Sequence, residues 1–182
     1  VDEGAFWMGH KSFFTFDGSV ATEIKCDVVD YVFDDINRNQ ISKVTAVHNS
    51  QFGEIWWFYP SGSSTENDRY VVLDYKEGHW TVGELGRTAC IDRGVFDNPI
   101  WCDASGNLYE QETGINHGSS VPFAESGPIS LGNGDTVMRV TNLIPDEKVQ
   151  GEVKVSFKTR MYPNDTETTH GPYTLTNPTD VR

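Results

Sequence analysis

The sequence predicts an all-β protein: a β-propeller portion of antiparallel blades, with one short helix and a C-terminal strand extension. Three observations lead there. An aromatic strand, a turn and a second strand recur as Phe6-Trp7-Met8 before Phe13–Gly18, Ile55–Pro60 before Tyr70–Tyr75, and Pro99–Cys102 before Gly106–Glu110. Trp7, Trp57 and Trp101 lie 50 and 44 residues apart, and periods of roughly 40–50 residues with paired strands are the pattern of propeller blades. Aromatic residues make up 12% of the chain, beside 17 glycines and 8 prolines, a mixture of short strands and many turns.

Each element follows from local pattern. Ala5–Met8 and Phe13–Phe16 read as a hairpin across Gly9-His10-Lys11-Ser12, closed by the turn signal Asp17-Gly18. Val28, Val29, Val32, Phe33 and Ile36 fall at i, i+1, i+4, i+5 and i+8, which predicts one short helix near 27–37. Strands resume at Lys43, where Val44, Ala46 and His48 alternate with their neighbours. After the turn 51–54, the strands Ile55–Tyr59, Tyr70–Tyr75 and Trp80-Thr81-Val82 are separated by the polar loop 60–68 and the turn 76–79, which makes most of one blade. Ala89-Cys90-Ile91 is expected to follow as a neighbour in that blade. Pro99–Cys102 and Asn107–Gln111 flank the hairpin turn at Asp103–Gly106.

Residues 113–134 are rich in Gly, Ser and Asn, with weak strands expected near Val121–Ala124 and Pro128–Leu131. The texture then changes, which divides the chain into blades over 1–131 and C-terminal antiparallel strands over 132–182. Val137, Arg139 and Thr141 alternate with Met138 and Val140, and Pro145-Asp146-Glu147-Lys148 marks a turn. Val153–Tyr162 alternates with period two and reads as a long, half-exposed strand with a basic outer face. Pro172–Leu175 is the last expected strand. The opening residues already look like mid-domain sequence, so a piece of a longer protein is expected.

Charge narrows the function classes. The chain carries 27 acidic against 14 basic residues, a net charge of −13. Such a surface repels phosphate backbones and argues against sequence-specific nucleic-acid binding. No apolar run approaches the ~20 residues of a membrane span. Cys26, Cys90 and Cys102 form no C-x-x-C pair and read as buried free thiols, although Cys90 and Cys102 could meet across neighbouring strands. The five histidines are scattered, and Asp35–Asn39 opens like a calcium loop but has Gln40 and Ala46 where Gly and Glu are needed. No cofactor, metal or catalytic residue is expected.

The residues singled out are Trp7, Trp56, Trp57, Tyr75, Trp80, Trp101 and Tyr109, as packing or interface positions. Adjacent strand residues face opposite ways, so Trp56 and Trp57 belong to different layers. One packs against the next blade, and the other reaches an interface. A carbohydrate-binding or glycoside-hydrolysing β domain is the alternative. It would use Trp56 or Trp101 as a stacking platform and Asp92 or Asp103, from the carboxylate group Asp92, Asp97, Asp103, Glu110 and Glu112, as an acid. A plain β-sandwich interaction module is a further alternative, separated from a propeller by strand order.

Taken together, Ala5–Gly9, Cys26–Asn37, Glu54–Pro60, Asn67–Tyr75 with Trp80–Gly83, Asp103–Glu110 and Lys158–Pro163 resemble the tail tubular or nozzle proteins of short-tailed bacteriophages and related factors that retain packaged DNA. The resemblance implies a virion structural protein: a propeller subunit that forms a homo-oligomeric ring in the phage tail. It implies contacts with other tail or adaptor proteins, with DNA passing through the lumen without specific binding. It brings no catalytic residues and no membrane association. At this period 182 residues hold two or three blades plus the C-terminal strands.

Overall fold

Alternating apolar residues and closely spaced turns fold this chain into antiparallel sheets with little helix. The structure, a computed structural model, describes residues 4–114, 121–129, 137–144, 152–175 and 179–180. The chain divides into two compact units, Val1–Gly118 and Ser119–Arg182. The change of texture after Leu131 falls inside the second.

The first unit holds three successive antiparallel meanders. Strands β1 (Ala5–Met8), β2 (Phe13–Phe16) and β3 (Ala21–Ile24) form the first sheet. The β2–β3 turn is held by the Asp17 carboxylate, which accepts the backbone N–H groups of Ser19 and Val20 at 2.8 and 2.9 Å. Gly18 takes φ +97° there, which glycine adopts without a Cβ clash. β3 has no counterpart in the sequence reading, because Ala21-Thr22-Glu23-Ile24 offers almost no apolar alternation; pairing with β2 makes it a strand.

Helix α1 (Val29–Asp35) buries Val32 and Phe33. It ends where Ile36 turns extended, and a 3₁₀ segment, Arg38–Lys43, follows. The short helix expected near 27–37 is thus observed as α1, and the 3₁₀ segment lies beyond those bounds. The Asn37 side chain accepts Asn39 N–H at 3.1 Å and starts that second piece.

β4 (Thr45–Asn49), β5 (Glu54–Tyr59), β6 (Arg69–Asp74) and β7 (His79–Glu84) form a four-stranded meander in sequence order. β8 (Ala89–Ile91), β9 (Ile100–Cys102) and β10 (Leu108–Glu110) form the third sheet. The expectation that Ala89-Cys90-Ile91 extends the preceding blade is corrected: β8 pairs with β9, Cys90 opposite Trp101. The reason lies in residues 85–88, where Leu85 N–H reaches Asp68 O and Thr88 N–H reaches Cys102 O. Those bonds lead the chain out of one ladder and into the next. Among the described residues no closed ring of sheets is formed.

Two apolar clusters fill the spaces between sheets. Phe13, Val32, Phe33, Ile55, Trp57 and Leu73 belong to the first, between the first sheet, the helix and the middle sheet. Val47, Phe58 and Trp101 form the second, between the middle and third sheets. The middle sheet is therefore covered on both faces.

In the second unit β11 (Asn142–Leu143) pairs with β14 (Thr179–Asp180), and β12 (Lys154–Thr159) pairs with β13 (Thr168–Thr174). The strand expected over Val153–Tyr162 is shorter than its pattern, ending at Thr159 before the 161–165 turn. Residues 121–129 carry no strand, so the one expected at Val121–Ala124 is absent. The second, Pro128–Leu131, is not a strand over 128–129, and its last two residues lie outside the described residues. The turn expected at 145–148 also lies outside them.

Candidate aromatic packing site

The three tryptophan strands share one arrangement. On β5 the order is Trp56-Trp57-Phe58, on β9 Ile100-Trp101-Cys102, and on β1 Phe6-Trp7-Met8. Alternation sends the central tryptophan to one face and its flanks to the other. Trp57 points back at the first sheet, 4.9 Å from the Phe13 ring, and is 1% exposed. Trp101 points back at the middle sheet, 5.1 Å from Trp56 and 5.3 Å from Phe58, and is also 1% exposed. The flanks Phe6 and Met8 face forward into the first cluster, and Trp56 and Phe58 face forward into the second. Trp7 takes the backward face of the first sheet, stacked on its cross-strand partner Phe14 at 5.5 Å, and remains 38% exposed.

The expected split of Trp56 and Trp57 between layers is observed. Trp56 is half-buried, 4.8 Å from Tyr70, and its indole N–H donates to Glu54 Oε2 at 2.8 Å. Trp80 closes the first cluster from β7, 4.7 Å from Phe13, with its N–H donating to Lys25 O at 3.0 Å. Tyr75 lies 5.9 Å from Phe6, and its hydroxyl is 3.2 Å from His48 Nε2. Tyr109 is exposed on β10, with the Arg87 guanidinium 4.3 Å over its ring.

Trp101 offers no ring face to a sugar, so its use as a stacking platform is corrected. Its indole N–H, like that of Trp57, is buried without an acceptor among the described residues. The acids grouped by sequence also separate. Asp103 caps the β9–β10 turn, accepting the N–H groups of Ser105 and Asn107, the Asn107 amide and the Tyr109 hydroxyl at 2.9–3.0 Å. The Asn107 side-chain bond, aided by its backbone N–H, pulls this carboxyl down to about 2. Asp92 sits at the opposite end of the same sheet, after β8, where it accepts Ser50 N–H and lies 3.8 Å from His48 Nδ1. Asp97 is exposed in the β8–β9 loop, and Glu110 accepts from the Asn98 amide at 3.0 Å.

Sequence reasoning missed two polar anchors. Asn49, fully buried, donates to Glu54 at 3.4 Å and to Glu112 at 3.2 Å, joining the middle sheet to the segment that follows β10. Burial, then the Glu54 charge, pushes the Glu112 carboxyl up. Asn67 donates to Lys43 O and Arg87 O at 2.8 Å each, tying the 60–68 loop to both flanking segments. Nothing local distinguishes these asparagines from turn residues. Phe13 was visible only as one of three phenylalanines in β2; its central place depends on which face meets the helix.

Cys90 and Cys102 stand on neighbouring strands but face opposite sides of the sheet, since Cys90 is paired with Trp101. All three cysteines are free thiols, and burial pushes Cys26 up to about 11 and Cys90 up to about 12. Among the described residues no cluster of three metal-ligating side chains occurs, and no helix is long and apolar enough to cross a membrane. Compared with known proteins, the chain matches no family model and no curated protein.

Proposed function

We propose that this chain is a virion structural protein: a propeller portion that oligomerises into a ring of a phage tail tube or nozzle and forms part of a conduit for DNA. One observation carries the reading. Trp57 and Trp101 hold the same place in consecutive meanders, on the second strand and facing the sheet before. Stacked meanders joined in sequence order are how blades are built, and the strand order 4-5-6-7 of the middle sheet speaks against a Greek-key sandwich.

The chemistry fits a scaffold. Phe13, Trp57, Phe58, Tyr59 and Trp101 are committed to packing, each worth about 1.5–3 kcal/mol by area, and Asp17, Asp103 and Glu112 serve turns and tethers. A net charge of −13 keeps a lumen from adhering to duplex DNA. Neighbouring subunits and other tail or adaptor proteins would cover exposed strand edges.

Negative-stain imaging and gel-shift titration test the proposal together. Ring-shaped particles with no retention of duplex DNA at physiological salt are expected. Tight DNA binding, or a discrete monomer that binds a glycan array, would overturn it.

A further inference from the structure

Asn49 is wholly buried on β4, and its side-chain amide serves two carboxylates at once. It donates to Glu54 Oε2 on β5 at 3.4 Å and to Glu112 Oε1, just beyond β10, at 3.2 Å. One nitrogen thus draws two acids together, and two like charges so placed repel. Glu54 has a further donor, the Trp56 indole N–H at 2.8 Å, whereas Asn49 is the one donor to Glu112 among the described residues. Hydrogen bonds favour the ionised form, so a proton shared by the pair falls to Glu112. The backbone there is unusual as well. Glu112 takes φ +59°, the only left-handed non-glycine residue among the described residues, a conformation held against a steric cost. Glu54 is the charged group acting on Glu112, and the uncharged Asn49 amide is its other polar neighbour.

We infer that Glu112 is a proton-operated latch on the segment that leaves the third sheet. Protonated, it holds residues 111–114 on the middle sheet through Asn49. Ionised, it is driven away from Glu54, and the left-handed turn relaxes. The carboxyl gives one proton to water in that step, and no bond other than its O–H breaks. The Glu112 carboxyl is raised in the folded protein, which fixes the sign. The latch contributes fully below the ordinary carboxylate range and fades as pH rises through the folded value. Acidification therefore tightens this corner of the molecule. All of its parts belong to the first unit, and its action does not depend on the phage tail.

Amide hydrogen exchange tests the latch at Gln111, whose N–H donates to Pro99 O at 2.9 Å. It is followed from about pH 4 to about pH 8, with the intrinsic rate divided out. Wild-type protection is expected to fall as pH rises, by at most about tenfold for each pH unit separating the folded and unfolded Glu112 midpoints. Glu112→Gln keeps an acceptor for Asn49 without a titratable proton, so its protection is expected to stay nearly constant. Glu54→Gln removes the repelling charge and is expected to make the fall shallower. Wild-type protection at Gln111 that does not change with pH overturns the latch. So does a Glu112→Gln protein that follows the wild-type course, which would assign the proton to another group. Should either variant misfold, carboxyl-carbon NMR of the wild type decides. A Glu112 midpoint above the ordinary carboxylate range supports the latch, and one within or below that range removes it.

Discussion

The middle sheet and the β12–β13 hairpin carry equally clear strand patterns and come to opposite ends. In β5, Ile55, Trp57, Phe58 and Tyr59 are all buried, because a sheet lies on each side. In β12, Val155 and Phe157 alternate with Lys154, Ser156 and Lys158 as a half-buried strand should, yet both remain only partly covered. Among the described residues Phe157 finds a single ring neighbour, Tyr173 at 6.2 Å. Alternation states which residues share a face; it does not state whether anything covers that face.

Substitutions sharpen that contrast. Trp57→Ala should show the largest effect, lowering stability by about 3–5 kcal/mol in urea unfolding, because a wholly enclosed ring leaves a cavity. A loss below about 1 kcal/mol would mean that the sheets do not rest on one another there. Asn49→Ala should follow, at about 1–3 kcal/mol, because it removes the tether between the middle sheet and the segment after β10 and leaves its partners without their buried donor. Phe157→Ala should cost only about 1 kcal/mol, since half of the ring's transfer energy is never gained. A loss as great as that of Trp57→Ala would abolish the distinction between the two regions.

The smallest effect concerns the Asp103 turn. Its carboxyl is held down in the folded protein, so its contribution is present above the ordinary carboxylate range and is lost as pH falls through about 2. Carboxyl-carbon NMR should place the midpoint there, and Asn107→Ala should move it upward. A midpoint already in the ordinary range would show that the turn is not capped this way.

Much of the first unit was legible in the sequence. The Phe6-Trp7-Met8 hairpin, the four strands from Thr45 to Glu84 and the turn at Asp103 announce themselves through local alternation and turn chemistry. β3 was not legible, because Ala21–Ile24 becomes a strand through the ladder offered by β2. The placement of β8 was missed because bonds from Leu85 and Thr88 to distant carbonyls decide which sheet it joins. Of the site, the separation of Trp56 from Trp57 followed from the two-residue period, whereas Asn49 and Asn67 matter only through partners far along the chain.

By itself the sequence determined the antiparallel class, the recurrence of the tryptophan strands and the acidic surface, since composition, two-residue alternation and turn residues act over a few neighbours. Tertiary structure alone decided that Trp57 and Trp101 are enclosed while Trp7 is left partly open, and that the grouped acids stand at different ends of a sheet. Those outcomes depend on which face meets another sheet, a contact between residues widely separated along the chain that no local pattern encodes.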